Sequence, residues 1–280
     1  MIEIKNITKV YGKKKNTFTA LKDVSLAIEE GSSVAVLGKS GSGKSTLMHA
    51  ISGLDKPQQG EVIINGEDIL RLKRKATDRF RARTMGFIFQ SFFVEGGESC
   101  YDNVSLSLET AGVPRSQRKR RIVAALEAVG LEDKIKARAK DLSGGQKQRL
   151  AIARAIAAEP QILFADEPTG NLDSATSAVV EDLLFNYAKE HGATLIIVTH
   201  DEDLAQRCQR IIRIKDGVID HDSAIDDKAT VSPKVKKAPT RRPAKATAPA
   251  TQPKKTTKKA MSTTTKAKST TTKPTPRRAD

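Results

Sequence analysis

The stretch Gly38-Lys39-Ser40-Gly41-Ser42-Gly43-Lys44-Ser45-Thr46 constrains this chain more than any other. Its spacing is G-x-x-x-x-G-K-S. Ahead of it runs Ser33-Val34-Ala35-Val36-Leu37, a short apolar run that reads as a buried strand. Behind it Thr46-Leu47-Met48-His49-Ala50-Ile51 opens a helix. The glycines let the backbone turn tightly, so that successive N–H groups can point at one anion. The helix start adds unpaired N–H groups and partial positive charge. Strand, glycine turn and helix together predict a cradle for the phosphates of a nucleotide. Lys44 is placed to reach the β- and γ-phosphates, and the Ser45 hydroxyl to bind Mg²⁺.

A second anchor is Ile162-Leu163-Phe164-Ala165-Asp166-Glu167. An apolar strand delivers two carboxylates at its C-terminal end, where open α/β sheets place ligands. Asp166 suits a Mg²⁺ ion, and Glu167 suits orienting or deprotonating an attacking water. A third anchor is Leu142-Ser143-Gly144-Gly145-Gln146, ahead of the helical run from Lys147 to Ala157. Glycines and a hydroxyl again stand at a helix start, a second anion site of the same kind. One chain has no use for two such sites on one nucleotide. Two copies do, each closing its second site on the phosphate that the other holds.

The rest of the chain alternates strands and helices. Ile2–Ile4, Thr8–Val10, Ala20–Leu21, Val24–Ile28, Gly60–Gly66 and Met85–Gln90 read as strands, with a turn at Lys13–Asn16. Residues 71–83 are charged and helix-compatible, and the pattern is helical from Cys100 to Ala157. The sheet then resumes at Ile162 and at Leu195-Ile196-Ile197-Val198. This predicts an α/β core carrying a mainly helical insertion over about 91–159.

The chain has a net charge of +16, which is uneven: 33 basic against 29 acidic residues through Asp220, and 16 against 4 from His221 onward. Between Lys228 and Arg278, Lys, Thr, Ala and Pro dominate and no acidic residue occurs. Such a segment cannot bury enough apolar surface to fold alone, so 221–280 is expected to be a disordered basic tail. No apolar run approaches the roughly 20 residues needed to span a bilayer, and the first residues lack a signal-peptide pattern. A cytoplasmic chain is expected, working on the inner face of the membrane only through a partner. Cys100 and Cys208 lack metal or redox spacing.

Taken together, these residues resemble an ATP-binding-cassette (ABC) ATPase subunit from Met1 to about Asp220. In the family's terms Gly38–Thr46 matches Walker A, Gln90 the Q-loop, Leu142–Gln146 the signature, and Ile162–Glu167 Walker B. Thr169-Gly170-Asn171-Leu172-Asp173 matches the D-loop, His200 the switch histidine, and Tyr11 the aromatic that stacks on adenine. The resemblance implies an α/β P-loop NTPase fold with an N-terminal antiparallel β subdomain and an α-helical insertion. It implies ATP and Mg²⁺ as ligands. Gly38, Lys39, Ser40, Gly41, Ser42, Gly43, Lys44, Ser45 and Thr46 would bind the nucleotide of one copy. Ser143, Gly144, Gly145 and Gln146 would do so from the other.

Catalysis would fall to Glu167, His200 and Gln90, and the metal to Ser45, Gln90 and Asp166. Implied partners are a second copy and a separate transmembrane permease. The wording from Ala165 to Ser174 is most similar to the subfamily serving lipoprotein-releasing, macrolide-export and cell-division permeases. After Gln90 that subfamily usually carries apolar residues, whereas here Val94-Glu95-Gly96-Gly97-Glu98-Ser99 stands near its permease-docking groove. Alternatives are a cell-division regulator that moves no cargo and a soluble ABC ATPase acting on nucleic acid. For the tail, contact with anionic lipid or non-specific contact with nucleic acid are the readings beyond a solvated extension.

Overall fold

The computed structural model describes residues 1–13 and 16–224. They lie within one compact unit, Met1–Ser232; none of the second, Pro233–Asp280, is among them. The readings made of the basic tail beyond Ala224 therefore lie outside the described residues.

The elements are, in order, β1 (Ile2–Lys13), β2 (Asn16–Ile28), β3 (Ser33–Leu37), α1 (Lys44–Ile51), β4 (Gln59–Ile64), β5 (Glu67–Asp68), α2 (Arg74–Thr84) and β6 (Met85–Phe89). The helices α3 (Cys100–Thr110), α4 (Arg115–Ala128) and α5 (Gly144–Ile156) follow, with short 3₁₀ turns at Glu132–Lys134 and Ala139–Asp141. Then come β7 (Ile162–Asp166), α6 (Ser174–His191), β8 (Thr194–Thr199), α7 (Glu202–Gln206), β9 (Arg210–Lys215) and β10 (Val218–Asp222).

Two sheets form. One is antiparallel, in the order β2-β1-β4-β5; the other has six strands in the order β10-β9-β3-β8-β7-β6. In the larger sheet β9, β3, β8, β7 and β6 are parallel, and only β10 is antiparallel. Its central strands are apolar throughout because both faces are covered. Ala35, Leu37, Leu163, Ala165, Leu195 and Ile197 enter the core shared with the helices α3 to α6. Their neighbours Val34, Val36, Ile162, Phe164, Ile196 and Val198 enter the other core, closed by α1 and the antiparallel sheet. This is the period-two alternation of a strand, applied to two cores at once.

The two segments read at the N-terminus as Ile2–Ile4 and Thr8–Val10 are one long strand with bulges. Asn6 takes φ 53, and the register with β2 shifts between Ile4 and Ile7. That shift moves the buried positions from Ile2 and Ile4 to Ile7 and Lys9. The helix expected over 71–83 begins at Arg74 and ends at Thr84. At the other end β10 runs through Asp222, so the change of composition at 221 falls inside the last strand.

Candidate active site

The phosphate-type loop leaves β3 after Leu37 and enters α1 at Lys44. Its N-cap is Gly43, at φ 108, and no acidic residue occupies the first turn of α1. A left-handed residue there must be glycine. Lys44 is buried, and its Nζ donates to Gly38 O at 2.8 Å and Lys39 O at 3.1 Å. The ammonium thus lies across its own loop, held by two neutral carbonyls with no carboxylate in direct ion-pair contact. Ser42 Oγ is buried and has no hydrogen-bond partner. A cation held only by neutral groups, a buried hydroxyl without a partner and a helix start suit a multivalent anion.

Ser45 Oγ donates to Asp166 Oδ1 at 3.2 Å, although 121 residues separate them. Parallel pairing brings this about: β3 and β7 flank β8, so both strands end on the same edge. Burial pushes the Asp166 carboxyl above its ordinary range; the Ser45 hydroxyl and the charges of His49 and Lys44 act the other way. A desolvated carboxylate beside a hydroxyl is a hard-oxygen donor pair that fits Mg²⁺. No cluster of three or more His, Cys, Asp and Glu that could hold a metal occurs among the described residues. A Mg²⁺ ion there would draw its remaining ligands from phosphate and water, as this ion commonly does.

Glu167 leaves β7 at φ 48, an uncommon region for a residue with a side chain. Three contacts hold it there. Its N–H donates to Val198 O at 2.8 Å, Thr199 Oγ1 donates to its Oε2 at 3.3 Å, and His200 Nδ1 lies 2.8 Å from its Oε1. A carboxylate only accepts, so Nδ1 of His200 carries the proton. The His200 side chain is 69% exposed and that of Glu167 only 17%. Gln90 follows β6. Its carbonyl accepts from Asn171 Nδ2 at 3.0 Å, and its Nε2 stands 2.9 Å from where a Cβ of Gly170 would lie. Gly170 is therefore open space for the glutamine side chain.

Gly43, Lys44, Ser45, Gln90, Asp166, Glu167 and His200 line one open cleft of about 720 Å³, together with Tyr11, Lys39, Ser40, Gly41 and Thr46, whereas Gly38 and Ser42 do not line it. Phe18 and Ala20 line it too and were not expected there. Phe18 pairs with Tyr11 across the hairpin, and its ring is 62% exposed. Its signal in the sequence was equal distance from the Lys13–Asn16 turn. Thr199, which holds Glu167, was also missed.

Ser143, Gly144, Gly145 and Gln146 are elsewhere. They line a separate cavity of about 530 Å³ with Asn171, Leu172, Asp173 and Thr176, and no residue lines both spaces. Ser143 caps α5 through a capping box with Gln146. Gly145 is packed so tightly that a Cβ would stand 2.5 Å from Thr176 Cγ2. The structure does not bring Ser143, Gly144, Gly145 and Gln146 into the cleft of the phosphate-type loop of their own chain.

Comparison with known proteins follows the same lines. The family model described as ABC transporter matches residues 21–170. The chain is 42% identical over 219 residues to the lipoprotein-releasing system ATP-binding protein LolD of Syntrophus aciditrophicus, covering 78% of this chain and 98% of that protein. Its fold matches the dimeric, post-hydrolysis structure of the ATP-binding cassette MJ0796 bound to ADP and Pi. The TM-score is 0.74 at 38% identity, over 79% of this chain and 97% of that one. It also matches cbiO1 from Clostridium perfringens, part of the ABC transporter complex cbiONQ. There the TM-score is 0.71 at 29% identity, over 81% and 91% of the two chains. With the motifs in this order on this sheet, the chain belongs to the ABC transporter family and is an ABC-type ATPase.

Proposed function

We propose that two copies of the chain bind two ATP molecules at a shared interface and hydrolyse them to drive a separate membrane permease. Each nucleotide lies between residues 38–46 of one copy and Ser143, Gly144, Gly145 and Gln146 of the other. The observation that carries this reading is the separation of the two anion sites into distinct cavities. A site that cannot reach the loop of its own chain can serve a γ-phosphate only from a partner. The dimeric, ADP- and Pi-bound neighbour supports the same arrangement.

Lys44, released from its two carbonyls, neutralises the β- and γ-phosphates. Ser45, Asp166 and Gln90, which line the same cleft, would hold Mg²⁺, and the bound ion would neutralise charge on the phosphates. Glu167 accepts a proton from the attacking water or orients it, and His200 holds the carboxylate in place. Charge-assisted bonds from both copies to one γ-phosphate join the halves, and such bonds are the stronger class. Hydrolysis removes that bridge and the dimer loosens.

The motion leaves through Gln90 and the helical segment. Residues 91–99 follow Gln90 directly. Arg154 on α5 holds the carbonyls of Phe92 at 3.2 Å and Phe93 at 2.5 Å. Phe93 itself sits at φ 46 and is 65% exposed, a large apolar side chain offered outward on a tethered loop. That suits contact with a permease at the inner face of the membrane. No helix among the described residues is long and apolar enough to cross a membrane. The relative named for lipoprotein release favours the lipoprotein-releasing, export or mechanotransmission class of partner.

The decisive variant is Glu167→Gln, which keeps shape and removes the base. ATP binding is expected to persist, turnover to fall by about 10²-fold or more, and an ATP-bound dimer to accumulate on size exclusion. Near-normal ATPase activity in that variant would remove Glu167 from its role.

A further inference from the structure

Beside the cleft lies a group of side chains that the phosphate chemistry does not use. Lys9 is 5% exposed, on a strand whose other inward residues are apolar. A buried ammonium needs partners. Its Nζ pairs with Asp55 Oδ1 and donates to Lys56 O at 2.9 Å. The other carboxylate oxygen of Asp55 accepts from the Tyr11 hydroxyl at 2.7 Å. The same ammonium stands 4.9 Å from the centre of the Tyr11 ring, a cation–π distance. One carboxylate thus holds the far end of the ring while the lysine that it pairs with covers one face.

Asp55 is itself fixed relative to the phosphate loop. The N–H groups of Leu54 and Asp55 both donate to His49 O, at 2.9 and 3.1 Å, closing the turn that ends α1. That helix has eight residues and starts at Lys44, so it spans about 12 Å. On the strand side, Gln58 accepts from Val10 N–H at 2.8 Å and donates to Val10 O at 2.9 Å. The aromatic ring is therefore tied by short, rigid links to the far end of the helix that begins at the loop.

We infer that Lys9 and Asp55 are positioning residues for the nucleoside. They hold Tyr11 as a shelf with one open face, at a set reach from the phosphate loop. A nucleoside triphosphate then docks with its base on that face and its phosphates in the loop. This rests on the reading of the cleft as an ATP site. Stacking is indifferent to which base is stacked, so the device sets reach and leaves purine identity unread.

The test compares equilibrium binding of ATP and of inorganic tripolyphosphate, both with Mg²⁺, to the full-length chain. The variants are Tyr11→Phe, Asp55→Asn, Tyr11→Ala and the double change Tyr11→Ala with Asp55→Asn. Tyr11→Phe keeps the ring and leaves the Lys9–Asp55 pair intact, so it stays informative if Asp55→Asn fails to fold. Releasing one side chain from a fixed rotamer predicts an ATP affinity lower by about two- to tenfold in Tyr11→Phe and in Asp55→Asn. Tripolyphosphate, which has no base, should bind all variants alike. Asp55→Asn should add no further loss of ATP affinity once Tyr11 is alanine.

Unchanged ATP affinity in Tyr11→Phe would overturn the inference. So would an equal loss of tripolyphosphate affinity in Asp55→Asn, which would make Asp55 a prop for the loop. Binding of tripolyphosphate without ATP by the unaltered chain would instead overturn the ATP reading itself.

Discussion

Gly38 has no room for a side chain. A Cβ there would press on the carbonyl oxygen of Ile214 in β9 and stand 2.6 Å from Ser42 Oγ. The first of these is backbone of β9, paired with Ile219 of β10, and cannot swing aside. Gly38→Ala is therefore expected to lower stability by about 1–3 kcal/mol and to weaken ATP binding, because the loop must lift off β9. Urea unfolding of the two proteins, with and without ATP, measures both losses. An unchanged midpoint would mean that the loop has slack the packing does not show.

Glu167 carries the opposite kind of constraint, a side chain held where the backbone prefers none, at about 1–3 kcal/mol. Its three partners, Val198 O, Thr199 and His200, come from the end of β8 and the residue that follows it. The loop and the carboxylates were legible in the sequence because each motif is contiguous and its chemistry is local. Phe18, Thr199 and the Lys9–Asp55 pair were not. Phe18 is read only once the hairpin pairs it with Tyr11, and Thr199 and the Lys9–Asp55 pair act across 32 and 46 residues, so no short window of sequence contains both members.

At the level of elements, the central strands announced themselves by apolar runs with defined ends, and the first strand did not. Its phase slips by one at Asn6, so a reader counting alternation meets two short segments in place of one. The end of the sheet was also obscured, since β10 begins where composition turns polar. What secures β10 is a fork. Arg210 Nε donates to Asp222 Oδ1 at 2.8 Å and Nη2 to Oδ2 at 2.5 Å, while Nη1 reaches Ala27 O on β2 at 2.5 Å. Burial alone would raise the Asp222 carboxyl; the hydrogen bonds and charge of Arg210 outweigh it and hold the group below its usual value.

A carboxyl depressed in the folded state stabilises above its unfolded pKa, about 3.9. It loses that contribution as pH falls through the lower folded value. Near neutral pH, Asp222→Asn should cost about 2 kcal/mol, the range for hydrogen bonds to a charged group. That corresponds to roughly 4–8 °C in Tm for a domain of this size. The gap between the two proteins should narrow below about pH 4. Thermal melts from pH 7 to pH 3 follow it directly, and a gap independent of pH would show that the carboxylate charge plays no part.

The whole molecule poses a question that no single element answers, which is why one chain carries two glycine-rich helix starts that line separate cavities. The fold gives them no lining residue in common. The loop opens at the edge formed by β3, β7 and β8, whereas Ser143 caps a helix in a cavity bounded by residues 171–176. If the working site is composite, damage to the two halves should complement between chains. Lys44→Ala removes the cation of the loop. Gly144→Asp adds a negative charge at the other site without a clash, since a Cβ there meets only Phe92 Cζ, at 4.0 Å. An acidic residue at a helix start also does no harm to the helix, so this variant should fold. Each variant alone should be inactive.

Mixed in equal amounts, half of the dimers should be mixed, and each of these holds one site with both halves intact. If the two sites fire independently, activity should return to about a quarter of the unaltered protein's, by counting. The recovery should rise and fall with the fraction of one variant, peaking at equal amounts. If the mixture stays as inactive as its components while both variants still fold and associate, either the sites lie within single chains or both must be intact to fire. Restoring activity by covalently linking one doubly altered copy to one unaltered copy separates these two outcomes. Such a dimer has no composite site with both halves intact, so its activity would place the whole reaction within one chain, and its silence would leave obligatory coupling of the two sites.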